Sequence, residues 1–406
     1  MTRTRYALAL ALLLTLAAGG LAAEETGTLA QAFTEGTTTL DFNYRLEAVD
    51  DDALAKDALA STLRTSLAFR SGHWKRLQFF IEAENVTAVG DEDGFNNKGA
   101  AGSGNGVTDR PVVADPNSTE LNQAYLRMGL ADTKLTLGRQ ELVLGDSRHV
   151  GNVGWRQNHQ SFDAVSLTSS SLEGWTLHYS FIDRVNRIFG DSQKMTSHAL
   201  HAAGKVGAAG KLTAYGLLLD YEDPALFGLS SSSLGVELTG SRKAGDSASF
   251  SWELEYAVQQ DFGDNPGTLD TDYSHIAFGG GTSTITGIAG LESLGGSPAD
   301  GQYRTPLATL HKFNGWADKF LATPVNGLDD LYLTLKGKAG KVGWQATWHD
   351  FSATTGSVDY GTELDLLASF KTSWGQTFGL KAALYSADSH STDTDKVMAF
   401  TRYRFQ

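Results

Sequence analysis

The chain contains no cysteine in 406 residues. That excludes a disulfide framework, a Cys-based metal site and a thiol nucleophile. Proline is scarce, with 7 residues in all, and no Pro-rich linker divides the chain into domains. Basic charge is also in deficit. Against 47 Asp and Glu stand 33 Lys and Arg, a net charge of −14, which argues against nucleic acid as a partner because a phosphate backbone needs a basic footprint. Beyond the N-terminus no stretch approaches the roughly 20 apolar residues of a membrane-spanning helix. Enzyme patterns are missing too: the histidines show no HExxH spacing, and there is no Gly-x-Ser-x-Gly elbow. His349, Asp350 and Ser352 lie close together, but adjacent strand residues point to opposite faces. Asp91, Asp93 and Asn96 share a polar loop without the spacing of an EF-hand. The expectation is a non-enzymatic protein with no cofactor and no metal.

What is present is a period of two. In residues 121–130, Asn122, Ala124, Leu126, Met128 and Leu130 alternate with Gln123, Tyr125, Arg127 and Gly129, the mark of a strand. In residues 249–260, Phe250, Trp252, Leu254, Tyr256 and Val258 alternate with Ser251, Glu253, Glu255, Ala257 and Gln259. The same pattern predicts a second segment from Lys134, after the turn at Ala131-Asp132-Thr133, a third over 161–167, and strands over 38–47, 59–70, 77–85, 175–181, 195–206, 211–221, 232–242, 331–338, 341–350, 362–372, 376–386 and 396–405. Short turns and long polar loops alternate between them, as outer-membrane barrels require. The 45 glycines and 10% aromatic residues suit such a sheet with aromatic girdles. Residues 1–23 read as a signal peptide: Arg3 and Arg5, an apolar core, then small residues. Residues 24–406 then form a single outer-membrane domain. Its fold class is all-β, a transmembrane antiparallel up-and-down β-barrel with both ends periplasmic. Residues 261–330 pattern weakly. With strands at 272–279 and 305–311 the count is about 18, and without them about 16; both are allowed.

The alternation assigns inward charges. Basic residues are Arg45, Arg64, Arg70, Arg127, Arg184, Lys371, Lys381, Arg402 and Arg404; acidic ones are Asp41, Glu47, Glu82, Glu84, Glu237, Glu253, Glu255, Glu363 and Asp365. Arg402 and Arg404 should close against the strands bearing Arg45 and Arg64, with Glu237, Glu253 and Glu255 across the barrel. Opposed walls of this kind set up a transverse field. Either the guanidinium forks grip passing carboxylates, or the charges pair with one another and only hydrate the lumen. Trp74, Trp175, Trp252, Trp344, Tyr179 and Tyr403 fit interface girdles better than sugar-stacking platforms.

Gly138-Arg139-Gln140-Glu141, then Gly145, Arg148, Gly151 and Trp155, then Phe162-Asp163, resemble the alginate-export family of outer-membrane porins. A second cluster, His311-Lys312-Phe313-Asn314-Gly315-Trp316-Ala317-Asp318-Lys319-Phe320 followed by Gly327-Leu328-Asp329-Asp330, extends the resemblance. It implies an 18-stranded barrel whose basic lumen passes an anionic polysaccharide or small anionic solutes, without energy input. Two features depart from it. The chain ends Phe405-Gln406 instead of on an aromatic, and the inward face is less basic than a dedicated polyuronate exporter needs. Arg139 shares the parity of Leu135 and Leu137, where a lipid-facing Arg at mid-depth costs roughly 2–4 kcal/mol. The resemblance implies a lumenal role for it, through a bulge; the alternative is a place at the outer rim. The expected pore-lining, anion-binding residues are therefore Arg45, Arg64, Arg127, Arg139, Arg402 and Arg404. Residues 86–118 are expected to fold inward as a constriction. Expected partners are outer-membrane lipid and lipopolysaccharide, the anionic solute and periplasmic export components. Competing readings are a general diffusion porin without a polymer role and a non-transporting adhesion or binding protein.

Overall fold

A computed structural model describes residues 27–245 and 247–406; the signal peptide expected over residues 1–23 lies outside these residues. A short helix, α1 (Leu29–Thr34), opens the described chain. Its N-terminus is closed by a capping box, in which the Thr28 hydroxyl accepts from the Gln31 amide and the Gln31 side chain accepts from the Thr28 amide. Phe33 of α1 packs on Phe79 with ring centroids 4.8 Å apart.

Eighteen barrel strands follow, besides a two-residue pair, Gly296–Ser297 with Gly301–Gln302, inside one of the loops. They are β1 (Thr37–Asp51), β2 (Ala58–Arg70), β3 (Leu77–Ala88), β4 (Ser118–Leu130), β5 (Thr133–Gln140) and β6 (Ser161–Ser169). Next come β7 (Trp175–Asn186), β8 (Ser192–Lys205), β9 (Lys211–Leu219), β10 (Ser231–Ala244), β11 (Ala248–Asp261) and β12 (Asp270–Thr282). The last six are β13 (Ile285–Leu294), β14 (Leu328–Ala339), β15 (Val342–Ser352), β16 (Asp359–Lys371), β17 (Thr377–Ala387) and β18 (Thr394–Phe405). Each pairs antiparallel with the next, and β18 closes on β1 from Leu40↔Phe405 to Asp51↔Thr394. The closed 18-stranded barrel is thus the expected fold. One strand differs: residues 305–311 carry Pro306 and end in a 3-10 turn, Leu310–Lys312, and the strand that completes the count is β13. Proline cannot donate to a ladder, so that stretch leaves the sheet.

The faces are inverted relative to a soluble protein. Along β1, Asp41, Arg45 and Glu47 are buried while Tyr44 and Leu46 are exposed. Leu59, Leu67, Leu234, Leu333 and Leu380 are likewise exposed on the outside, where lipid would cover them. Bulges shift this phase locally. A register shift at Glu82/Ala83 turns Asn122 inward beside Gln123, and both donate to the Glu82 carboxylate. A second, at Ile182/Arg184, leaves Asp183 unpaired and puts Arg184 on the outer face opposite Asp163, correcting its inward assignment.

Three loops, residues 89–117, 141–160 and 295–327, fold into the lumen because they carry apolar residues that the wall can cover. Val150 and Leu307 bury against Phe162, Ile182 and Leu217. Tyr303, Ala317 and Phe320 bury against Phe351 and Tyr385. Phe95 and Val113 bury against Val49, Ala58 and Ala60. Each such large side chain contributes about 1.5–3 kcal/mol. Glycine makes room on the wall. At Gly290 a Cβ would sit 2.4 Å from the Tyr332 ring, which lies flat across the neighbouring strand. Gly290→Val should therefore displace that ring and cost about 1–3 kcal/mol by overpacking. An earlier loss of the heat-modifiable folded band, with native-like circular dichroism at low temperature, would show it.

Candidate functional site

Loop 141–160 spans the lumen. At one end Arg148 pairs with Glu292 of β13 at 2.8 Å. At the other Arg156 pairs with Glu47 of β1 at 3.2 Å and with Asp318 of loop 295–327 at 3.0 Å. Between them the Gly151 amide donates to the Leu307 carbonyl, and the Gln160 side chain donates to the Gly151 and Leu307 carbonyls. Trp155 stacks on His311 with centroids 5.1 Å apart and planes at 13°. The Lys381 ammonium from β17 lies over both Trp155 (4.3 Å) and Trp316 (3.6 Å). Desolvated cation–π contacts of this kind are worth about 2 kcal/mol.

His311 sits at the centre and its tautomer is set by its neighbours. Lys381 donates to Nε2 at 2.7 Å, so Nδ1 carries the proton and donates to Asp318 at 2.6 Å. Burial pushes the imidazole down to about 3 and keeps it neutral. Asp318 stays charged well below the usual carboxylate range. Burial opposes that charge, but His311, Lys396 and Arg156 outweigh it. A similar balance holds Glu141 at about 2: burial raises it, and His159, Asn122 and Asn152 lower it further. Loop 295–327 is clamped to the acidic wall by backbone as well. The Trp316 and Ala317 amides donate to Asp365 (3.1 Å) and Glu363 (2.7 Å). That approach needs Gly315, with φ +82° and a virtual Cβ 2.3 Å from Glu363.

The six expected arginines divide. Arg45 is 1% exposed; it donates to Asp115 and to the Trp155 carbonyl and lies 3.5 Å from Glu47. Arg64, also buried, meets Glu84 (2.8 Å), Glu82 (3.1 Å) and Asp41 (3.5 Å). Both are therefore built into the wall and the loops. Arg127 lies inward over the Tyr125 ring at 5.0 Å. Arg402 and Arg404, each about half exposed, share Asp41 at 3.0 Å and keep donors free toward the periplasmic mouth. Arg139 corrects the lumenal expectation. Its register partner is outward-facing Ala124, it keeps the parity of exposed Leu137, and it pairs at the outer rim with Asp163 at 2.7 Å. No bulge on β5 re-phases it.

Alternation could not find the residues that carry the constriction. Arg148, Arg156, His311 and Asp318 lie on loops without a period, so parity says nothing of them. For Arg148, His311 and Asp318 the signal was the motif residues at 145–155 and 311–320, which the structure brings together; Arg156 lies just outside them and carried none. Outside this constriction, between the outer loops, lies a cavity of about 430 Å³. Lys98, Arg156, Arg187, Lys319 and Lys396 line it with Asp51 and Asp318, Glu47 and Asp191 pair with Arg156 and Arg187 behind it, and Ile188, Phe189, Leu310 and Leu321 give it an apolar wall.

A family model described as "Alginate export" matches residues 36–284. No curated protein sequence matches the chain. Among solved structures, Acinetobacter baumannii OccAB2 superposes with TM-score 0.73 at 15% identity, covering 93% of this chain and all of that one. A. baumannii OccAB1 gives TM-score 0.73 at 11% identity, covering 95% and 99%. Pseudomonas aeruginosa OpdK, solved with vanillate, gives 0.71 at 15% identity, covering 92% and 99%. At these identities the likeness establishes the porin-type barrel.

The neutral His311 makes the latch acid-labile. Its folded value, about 3, lies below the free value near 6.5, so the open loop binds the extra proton and the closed loop loses stability as pH falls through that window. The protection factors of amides 310–318, observed exchange corrected for the intrinsic rate at each pH, should fall by as much as about tenfold per unit between pH 6 and 4. In His311→Gln the same amides should exchange faster at pH 7 and without that pH slope.

Proposed function

The chain belongs to the alginate-export family, and from that premise we propose that it is a passive outer-membrane channel for small organic carboxylates. The outer-membrane channel follows from family and fold. The solute class rests on one observation: the cavity above the constriction combines an excess of cations with an apolar wall. A carboxylate on an apolar body satisfies both, since the guanidinium and ammonium groups take the charge and Phe189, Ile188 and Leu321 take the hydrocarbon. The aromatic acid found with OpdK has this chemistry. Below the cavity the solute would pass the Arg156–Asp318–Lys396 cluster and leave past Arg402 and Arg404. No step needs a cofactor, a metal or bond-making chemistry.

The family's description favours a second reading, passage of an anionic polysaccharide. The crossing loop stands against it, because an extended polymer would need Arg148–Glu292 or Arg156–Glu47 to open. Single-channel recording in a planar bilayer separates the two. For the carboxylate channel, a salt gradient should give anion selectivity, benzoate should carry current, and Arg402→Ala with Arg404→Ala should lower selectivity severalfold. A channel occluded by oligouronate but closed to benzoate would replace it with the polymer reading. Cation selectivity would overturn both.

A further inference from the structure

We propose that the acidic wall binds one divalent metal ion of the zinc type, through Glu253, Glu255 and His275. The first ground is position. Glu253 and Glu255 are alternate residues of β11 on one face, and His275 of β12 is the direct cross-strand partner of Glu255. One carboxylate oxygen from each Glu and a ring nitrogen of His275 all lie within 4.8 Å of one another. His275 Nδ1 is already 3.3 Å from Glu253. Ligands about 2.0–2.2 Å from a common zinc ion need only small side-chain shifts from here.

Charge is the second ground. Most other inward carboxylates are compensated by arginines of the chain itself: Asp41 by three, Glu47 by two, Glu82 and Glu84 by Arg64, Glu292 by Arg148; Glu363 and Asp365 are met instead by backbone amides and His349. Among the described residues, no Arg or Lys comes within ion-pair distance of Glu237, Glu253 or Glu255; their ionic neighbours are His275 and, at 3.8 Å from Glu255, His149. Glu255 is buried and Glu253, 33% exposed, sits beside it on the same face, and two carboxylates this close favour a shared cation.

The third ground is unmet hydrogen-bonding capacity. A cavity of about 30 Å³ adjoins Glu255 and Glu237, room for about one water or ion. It lies on the Glu255 side of the cluster, not between Glu253 and His275, and His149 and His201 line it too, His201 with Nε2 unpartnered. The outer shell also suits a metal. His275 Nε2 is 2.8 Å from the Tyr332 hydroxyl, which leaves Nδ1 for the ion. His149 belongs to the crossing loop, so as a fourth ligand it would tie that loop to the wall. The inference is independent of what the channel passes.

Zinc titration of the detergent-purified, full-length barrel, with bound metal counted by mass spectrometry after dialysis, tests it. One zinc per chain is expected. His275→Ala should weaken binding more than tenfold, His149→Ala less, and Tyr332→Phe by about 10–100-fold through the outer shell, with the heat-modifiable folded band retained. Should His275→Ala fail to fold, Glu253→Gln with Glu255→Gln serves in its place. Sub-stoichiometric zinc, or binding indifferent to these substitutions, would overturn the proposal. So would calcium displacing zinc at equal concentration, because that marks an oxygen-only site.

Discussion

The constraint on which everything else rests is that a chain in hydrocarbon cannot leave backbone donors and acceptors unpaired. A sheet meets it only by having no edge. Hence β18 must find β1, across nearly the whole chain, and hence the side chains divide into a lipid face and a lumen with no third choice. The lumen then inherits a problem of its own. It collects charges from eighteen strands inside an apolar sleeve, where each is expensive alone and cheap when matched. The three inward loops solve it together with their apolar anchors. They carry Arg148, Arg156 and Asp115 to the wall carboxylates and arginines, and their own amides donate hydrogen bonds to Glu363 and Asp365.

This matching has a direction. Around the ring, β10 and β11 lie opposite β1. The β1 side is dense with paired arginines, and the β10–β12 side has carboxylates answered by histidine and, at Glu255, by the Tyr215 hydroxyl. The loop that crosses the lumen runs between the two, so that a solute in the proposed channel would meet cations on one flank and acids on the other. A transverse field of this sort orients a dipolar solute without binding it tightly, which is what a passive channel requires.

Much of the fold was legible because strand parity is a local property. The alternation around Tyr44, Trp252 and Tyr256 reported the faces directly, and the strict exchange of short and long connections reported the barrel. Parity failed where geometry is not local. The bulges at Glu82/Ala83 and Ile182/Arg184 insert a residue without any change in composition, so Asn122 and Arg184 were placed on the wrong faces. Gly-rich β13 carried too little contrast to be seen, and Thr305 to His311 imitated a strand because its apolar residues serve a loop anchor instead. The site was legible only in part. Wall arginines follow from parity, whereas the latch depends on Trp155 meeting His311, a contact between two aperiodic segments that no period can announce.

The latch also has a history in time. Asp318 reaches its resting state only when it holds Arg156, Lys396 and His311 together. One of these cations arrives on β18, the last strand to be made. Before closure, Lys396 is absent from the lumen and Asp41 lacks Arg402 and Arg404, its partners from 361 and 363 positions away. Contacts this distant form late. An unfinished barrel is therefore held by an incompletely neutralised plug, and the seal is tightest only in the finished one. The same ion pairs that narrow the lumen thus act as an internal proof of completion, registering that the first strand and the last have met.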